Sequence, residues 1–323
     1  FSLDKVSIYS YVSVIIPVFN DLIAIKLTLE ALKKQTYPKD KFEIIIVDNG
    51  STDGTFEWLS QQKGIILLQE INYLNSPYSA RNRGIEIANG AIIALLDSTC
   101  VPNLDWLEKG VKFFHTNQDD LFGGNVIFNF EEKITAAKVY DSITNIQMER
   151  IIKERNVAVT ANLWIKKHVF NEIGLFVEGI RSGEDIAWTG RCTSQGYQLG
   201  YCEHCITYKF ARDTKALLKK RFRTGKGAPR IWKTQDTYRE KLKHPFKKLF
   251  PPRPGYIKKI LKRNRDIKYT PLLIIRIYLI AYLARIISFC GNISGCLCLW
   301  AQTKRGKKNK DEDNTGFISK TEN

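Results

Sequence analysis

The chain has 323 residues, of which 44% are hydrophobic. That length allows one large or two modest domains, and that composition excludes whole-chain disorder, a collagen-like fibre and a disulfide miniprotein. Charge is the departure from the norm: 50 Lys and Arg stand against 33 Asp and Glu, a net of +17. Residues 1–203 hold 20 basic and 25 acidic side chains, and residues 204–323 hold 30 and 8. A basic C-terminal part points to a polyanionic partner, which leaves nucleic acid, an anionic membrane or a phosphorylated substrate.

Residues 12–19, VSVIIPVF, form an apolar β-branched run without alternation, the pattern of a strand buried on both faces. Asn20-Asp21 opens a helical pattern with Leu22, Ile25, Leu29 and Leu32 at spacings of three and four, closed by 35–38. Strands follow at 43–47, 65–69 and 91–96, with helices at 52–62 and 78–89 between them. This β-α-β alternation predicts a parallel, doubly wound α/β sheet. Ligands of such sheets bind beyond the carboxyl ends of the strands. The residues there are Phe19-Asn20-Asp21, Asp48-Asn49-Gly50-Ser51 and Asp97-Ser98-Thr99. Each set also reads as a helix cap, except at Asp97, where Cys100-Val101-Pro102 follows.

Further on, the pattern predicts helices at 104–115, 136–152 and 183–195, and strands at 121–130, 157–165 and 197–202. Seven cysteines, an odd number in a chain too large to need staples, imply reduced thiols and a cytosolic active domain. Cys202-Glu-His-Cys205 is half of a zinc motif with no second pair at a useful spacing. Residues 239–268 carry 12 basic and 2 acidic residues among several prolines, the composition of a basic, Pro-broken linker. Residues 271–300 are strongly apolar, with Tyr278, Tyr282, Arg285, Ser288 and Asn292 on one narrow helical stripe. An in-plane or re-entrant amphipathic helix would put that stripe at the lipid headgroups; a membrane span and a soluble core helix are the other readings. The basic residues flank this apolar segment rather than a recognition motif, so an anionic membrane surface is the expected partner and nucleic acid is not.

Four stretches, VSVIIPVFND, IIIVDNGSTDGT, SARNRGIEIANGAIIALLDSTCVPNLDWL and GLFVEGIRSGEDIAWTGRCTSQGYQLGY, occur in that order. Together, over about residues 12–212, they resemble the family 2 glycosyltransferases with a GT-A fold. The resemblance implies a Rossmann-like, mostly parallel sheet flanked by helices. It also implies an inverting transfer of sugar from a nucleotide-diphospho-sugar to a hydroxyl of a glycan or lipid-linked acceptor, in cell-surface polysaccharide or glycolipid synthesis. Pro17, Phe19 and Asn20 would lie at the nucleotide; Phe19 either stacks on the base or is a core aromatic. Asp48 would accept a hydrogen bond from the base. Arg81 would fork onto the diphosphate, unless it is a surface charge. Asp97 would sit by the ribose and diphosphate.

The pair Glu184-Asp185 carries the implied catalysis. Asp185 would take the proton of the acceptor hydroxyl, and Glu184 would orient it or bind the acceptor; both also suit a helix N-terminus. Two positions depart from the family pattern. Thr99 replaces the second carboxylate of Asp-x-Asp, and Lys209 stands where a His is usual. Both touch the expected divalent cation, Mn²⁺ or Mg²⁺, which keeps Asp97 as its one ligand here or gives way to Lys209 as a point charge beside the leaving diphosphate. The basic run 219–227 is either a flap hinged at Gly225 and Gly227 or a basic helix. The expected organisation is a GT-A domain over 1–230 (nucleotide half 12–102, acceptor half 103–230), a linker over 231–270, apolar membrane-associating helices over 271–303 and a basic, disordered tail over 304–323. The protein would work at the cytosolic face of the membrane. A competing expectation is a non-catalytic, nucleotide-sugar-binding membrane scaffold with a degenerate Asp-x-Asp.

Overall fold

The computed structural model describes residues 9–130, 133–234, 245–263 and 267–318. Two compact units emerge, one of Phe1–Glu132 with Thr144–Ala211 and the other of Lys133–Ile143 with Arg212–Asn323.

In the first unit, β1 (Val12–Val18), β2 (Phe42–Asp48), β3 (Ile66–Gln69) and β4 (Ile92–Leu96) alternate with α1 (Leu22–Lys33), α2 (Thr55–Ser60) and α3 (Pro77–Ile87). β1 pairs in parallel with both β2 and β4, and β2 with β3. The period of two sorts the apolar runs onto two cores. Val12, Val14, Ile16, Ile44, Ile46, Ala94 and Leu96 face one; Ile15, Ile45, Val47, Ile93 and Leu95 face the other. Helices cover both faces, which is why these strands need no polar alternation.

The rest of the unit extends this sheet with mixed polarity. β5 (Cys100–Pro102), α4 (Trp106–Thr116), β6 (Leu121–Asn129), α6 (Met148–Arg155), β7 (Asn162–Lys166), α7 (His168–Ile173), α8 (Glu184–Ser194) and β8 (Leu199–Phe210) belong to it; α5 (Ala136–Thr144) precedes α6. Among the described residues the strand order is β3-β2-β1-β4-β7-β6-β8-β5. Asn162 stands at the centre: its Oδ1 accepts from the indoles of Trp106 and Trp164 at 3.0 and 3.2 Å, and its Nδ2 donates to the carbonyls of Asn125 and Cys205.

Several boundaries differ from expectation, each for a physical reason. The helix expected over 136–152 is two, α5 and α6, because the chain turns at Ile146 with φ +40. The strand expected from 157 begins only at Asn162, because both Ala158 backbone groups bond to the Thr189 hydroxyl instead of to a strand. β8 runs to Phe210 rather than ending at 202. Its register on β6 shifts between Gly124 and Asn125, so Gly124 pairs with Cys202 and Asn125 with Ile206. The residues between, Glu203 to Cys205, form the resulting bulge, and Cys202 and Cys205 are both buried. β5 and α7 carry too few residues to show a period.

The second unit contains α5, α9 (Thr214–Thr234), α10 (Pro254–Leu261) and α11 (Pro271–Ile318). One long helix thus replaces the several expected over 271–303, and it continues to Ile318 through the segment expected to be irregular. No proline follows Pro271, and an established helix grows by one hydrogen bond per residue. Its Pro271–Ala301 portion is long and apolar enough to cross a membrane, with an 18-residue window of mean hydropathy 2.0. The basic run 219–227 is continuous helix, so Gly225 is no hinge. It allows contact instead: a Cβ there would collide with Ser288 O, one on Gly291 with Phe222 O and one on Gly295 with Lys226 O. Asn292 Nδ2 donates to Gly225 O at 2.9 Å across that contact.

Candidate active site

The carboxyl ends of β1, β2 and β4 open on one edge of the sheet. Asp48 closes β2 and is fully buried. Its Oδ2 accepts from the N–H groups of Gly50 and Ser51, both at 3.1 Å. Its Oδ1 is buried with no hydrogen-bond partner, so the site holds an acceptor that a ligand donor would satisfy. Pro17 is buried in β1 opposite Val47. Phe19 is 36% exposed just past the strand and is no core aromatic. Asn20, at φ +49, accepts from Thr52 N at 2.7 Å while its own N–H donates to Ser51 Oγ, so it ties the two strand-end loops together.

Asp97 stands at the end of β4 between two buried cations. Arg81 Nη2, from α3, is 2.9 Å from Oδ1, and Lys209 Nζ, from β8, is 3.4 Å from Oδ2. Both cations are about 2% exposed. The antiparallel register that puts Lys209 opposite Cys100 brings the ammonium onto the Thr99 hydroxyl and to 3.5 Å from Cys100 Sγ. Arg81 Nε is buried without a partner. Asp21 joins the edge by accepting from Ser98 Oγ at 3.1 Å; burial raises its pKa, opposed by that bond and by Lys209.

The GT-A resemblance carries a divalent cation with it, and the residues present do not fit one. Hard cations need several oxygen ligands, whereas both oxygens of Asp97 already meet cations and Thr99 supplies a hydroxyl already bonded to Lys209. Among the described residues no three His, Cys, Asp or Glu side chains converge. The donor set suits a resident ammonium, the second of the two arrangements expected at Asp97.

Glu184 and Asp185 begin α8 after Gly183, whose φ of +94 suits glycine. Their side chains diverge. Glu184 is buried and accepts from Arg191 Nη2 at 3.0 Å and Val177 N at 3.1 Å, so it fastens the preceding loop. Asp185 is half-buried; its Oδ1 accepts from the Tyr78 hydroxyl and from Ile186 N, each at 3.0 Å. Desolvation raises its pKa, opposed by those two bonds and by Arg81. Asp185 thus shares the electrostatic field of the Arg81–Asp97 pair.

The sequence reading missed what holds Asp185 there. Tyr78 also accepts from Gly183 N at 3.1 Å. Ser79 Oγ accepts from Gly179 N, and Asn82 exchanges two bonds with the Phe176 backbone. Three α3 side chains therefore fasten the loop that carries the acidic pair. Ser79 and Asn82 lie inside the motif SARNRG, and nothing local marks Tyr78.

A mixed sheet of this order, with polar groups gathered at the ends of β1, β2 and β4, defines a GT-A glycosyltransferase. The family model for glycosyl transferase family 2 matches residues 13–174, half of the chain, and the chain belongs to that family. It is 40% identical over 295 residues to glycosyltransferase AglE of Haloferax volcanii, an alignment covering 88% of this chain and 95% of AglE. Among solved structures, S. aureus TarS 1-349 in complex with UDP-GlcNAc matches with a TM-score of 0.51 at 21% identity, over 63% of this chain and 59% of that one. Mannosyltransferase PcManGT from Pyrobaculum calidifontis, in complex with GDP-Man and Mn²⁺, matches with a TM-score of 0.51 at 18% identity, over 91% of this chain and 76% of that one.

Proposed function

We propose that the enzyme moves a sugar, with inversion, from a nucleotide-diphospho-sugar to a hydroxyl of a glycan or lipid-linked acceptor at the cytosolic face of a membrane. The observation that carries this reading is the half-buried Asp185 carboxylate, fixed through Oδ1 within the field of the Arg81–Asp97–Lys209 cluster.

The roles follow from chemistry. The unpartnered Asp48 Oδ1 receives a donor from the base, and exposed Phe19 offers it a ring face. Asp97, braced by two cations, lies beside the ribose and diphosphate. Asp185 takes the acceptor proton on Oδ2 as the acceptor oxygen bonds to the anomeric carbon and the bond to the diphosphate breaks. The electron pair leaves with the nucleoside diphosphate, and Lys209 and Arg81 meet its growing charge. Lys209 does this as a fixed point charge, with no step routed through a metal. Nucleotide-sugars bound by TarS and PcManGT support the donor class. The apolar outer face of α11 supports membrane association, and an odd number of cysteines in a chain too large to need staples supports a reducing compartment.

The test is a panel of nucleotide-sugars with the purified enzyme and membrane lipid extract, reading nucleoside diphosphate release. Asp185→Asn is expected to bind donor as the parent does and to lose about 10²–10⁴-fold in transfer. Transfer at the parent rate would remove Asp185 from the chemistry.

A further inference from the structure

The polar stripe of α11 does not face outward. Tyr282 Oη donates to Leu249 O at 2.9 Å, and Arg285 donates to Phe250 O at 3.2 Å and to Lys247 O. Ser288 and Asn292 receive the Lys248 ammonium at 2.8 and 2.7 Å. All four side chains serve one short turn, Pro245–Lys248, and its continuation to Pro252. The expectation that this stripe lies at the headgroups is thereby corrected.

The turn is built inside out for water. Its carbonyls at 247, 249 and 250 are satisfied by α11, while Phe246, Leu249 and Phe250 are 56, 42 and 70% exposed. Irregular backbone enters an apolar medium only when its polar groups are already paired, and here α11 and the turn itself pair the carbonyls of Phe246, Lys247, Leu249 and Phe250. The outward face of α11 presents Leu272, Ile275, Leu279, Leu283, Ile293 and Leu297, all exposed at helical spacing. No acidic residue occurs from 245 to 263, against seven Lys and Arg, a charge that anionic headgroups complement. The opposite side of α11 is closed at its middle by α9, which carries Lys219, Lys220, Arg221, Arg223 and Lys226 around the Gly225–Gly291 contact. Hydrocarbon does not surround a helix that has such a partner attached at mid-length.

We propose that the Phe246–Leu249–Phe250 turn is an interfacial anchor that inserts into anionic lipid beside the outward face of α11, so that α11 lies within one leaflet and does not cross the bilayer. This anchor presupposes the membrane association proposed above. The experiment is co-sedimentation of the full chain with phosphatidylcholine vesicles, with and without phosphatidylglycerol, at low and high salt. Phe250→Asp, at a side chain that touches little, is expected to lower vesicle affinity roughly tenfold at high salt with an unchanged melting temperature. Phe250→Trp should retain parent affinity, and Leu279→Ser with Leu283→Ser should also lose binding. Epitope tags at both ends of the vesicle-bound protein should be cut by added protease. Parent-like binding of Phe250→Asp alongside loss in the α11 variant would overturn the anchor and leave the membrane reading standing. A parent protein that ignores all vesicles would overturn both, and a protected C-terminal tag would overturn the in-plane placement.

Discussion

The Tyr78 hydroxyl lies 3.0 Å from Asp185 Oδ1 and at the same time accepts from Gly183 N at 3.1 Å. One phenol thus ties the start of α3 to the start of α8 through Asp185 Oδ1. Its bond also lowers a carboxyl pKa that desolvation raises. Tyr78→Phe keeps the ring among its neighbours and removes only the hydroxyl. Turnover should fall about tenfold with little change in donor KM, and the acid limb of the pH–rate profile should move to higher pH. A uniform loss of activity with an unmoved limb would mean that Tyr78 serves the fold alone.

The raised pKa of Asp185 also bears on stability. A carboxyl whose folded pKa lies above its unfolded value contributes stability below the unfolded pKa and loses it as pH rises through the folded one. At neutral pH the charged, desolvated Asp185 therefore works against folding. Asp185→Asn should melt at or above the parent temperature at neutral pH, with the difference closing as the pH falls below the ordinary carboxylate range. Thermal melts across pH read this directly, and a variant less stable than the parent at neutral pH contradicts it.

Lys209 meets Asp97 Oδ2 and the Thr99 hydroxyl from β8. If its ammonium serves the leaving diphosphate, chelator should leave the parent rate nearly unchanged. Lys209→Met should lose on the order of 10²–10³-fold in kcat, the range for one electrostatic donor. The double change Thr99→Asp with Lys209→His should bring in a dependence on added Mn²⁺. Chelator-abolished activity together with an active Lys209→Met would return the role to a metal.

Gly291 allows α11 to approach the Phe222 carbonyl of α9. Gly291→Ala sets a methyl against backbone that has no room to yield, at a cost of about 1–3 kcal/mol. Hydrogen exchange should show α9 and the middle of α11 opening more often, while the strands of the first unit keep their protection. Unchanged exchange in α9 would show that this contact adds nothing to stability.

Local pattern alone determined the first half of the sheet. The runs VSVIIPV, EIIIV and IIALL can be buried only between two layers of helix, and the residues after each run fall on the ligand edge by the polarity of a parallel sheet. Asp48 and Asp97 were therefore legible as candidates from their places at strand ends, whereas Asp185, which local pattern reads as a helix cap, was marked only by the family resemblance. What each touches was decided by tertiary structure. Lys209 reaches Asp97 across 112 residues, and Tyr78 reaches Asp185 across 107. The β6–β8 bulge and the β5–β8 register set the first contact, and the α3–loop bonds set the second. Glu184 and Asp185 are neighbours with the same charge, yet one meets Arg191 and Val177 and the other meets Tyr78, because successive helical residues point about 100° apart. The α11 stripe was legible as a stripe. Which side it faces depended on unpaired carbonyls of a turn some 35 residues earlier in the chain, and hydrogen-bond demand of that kind has no periodic signature.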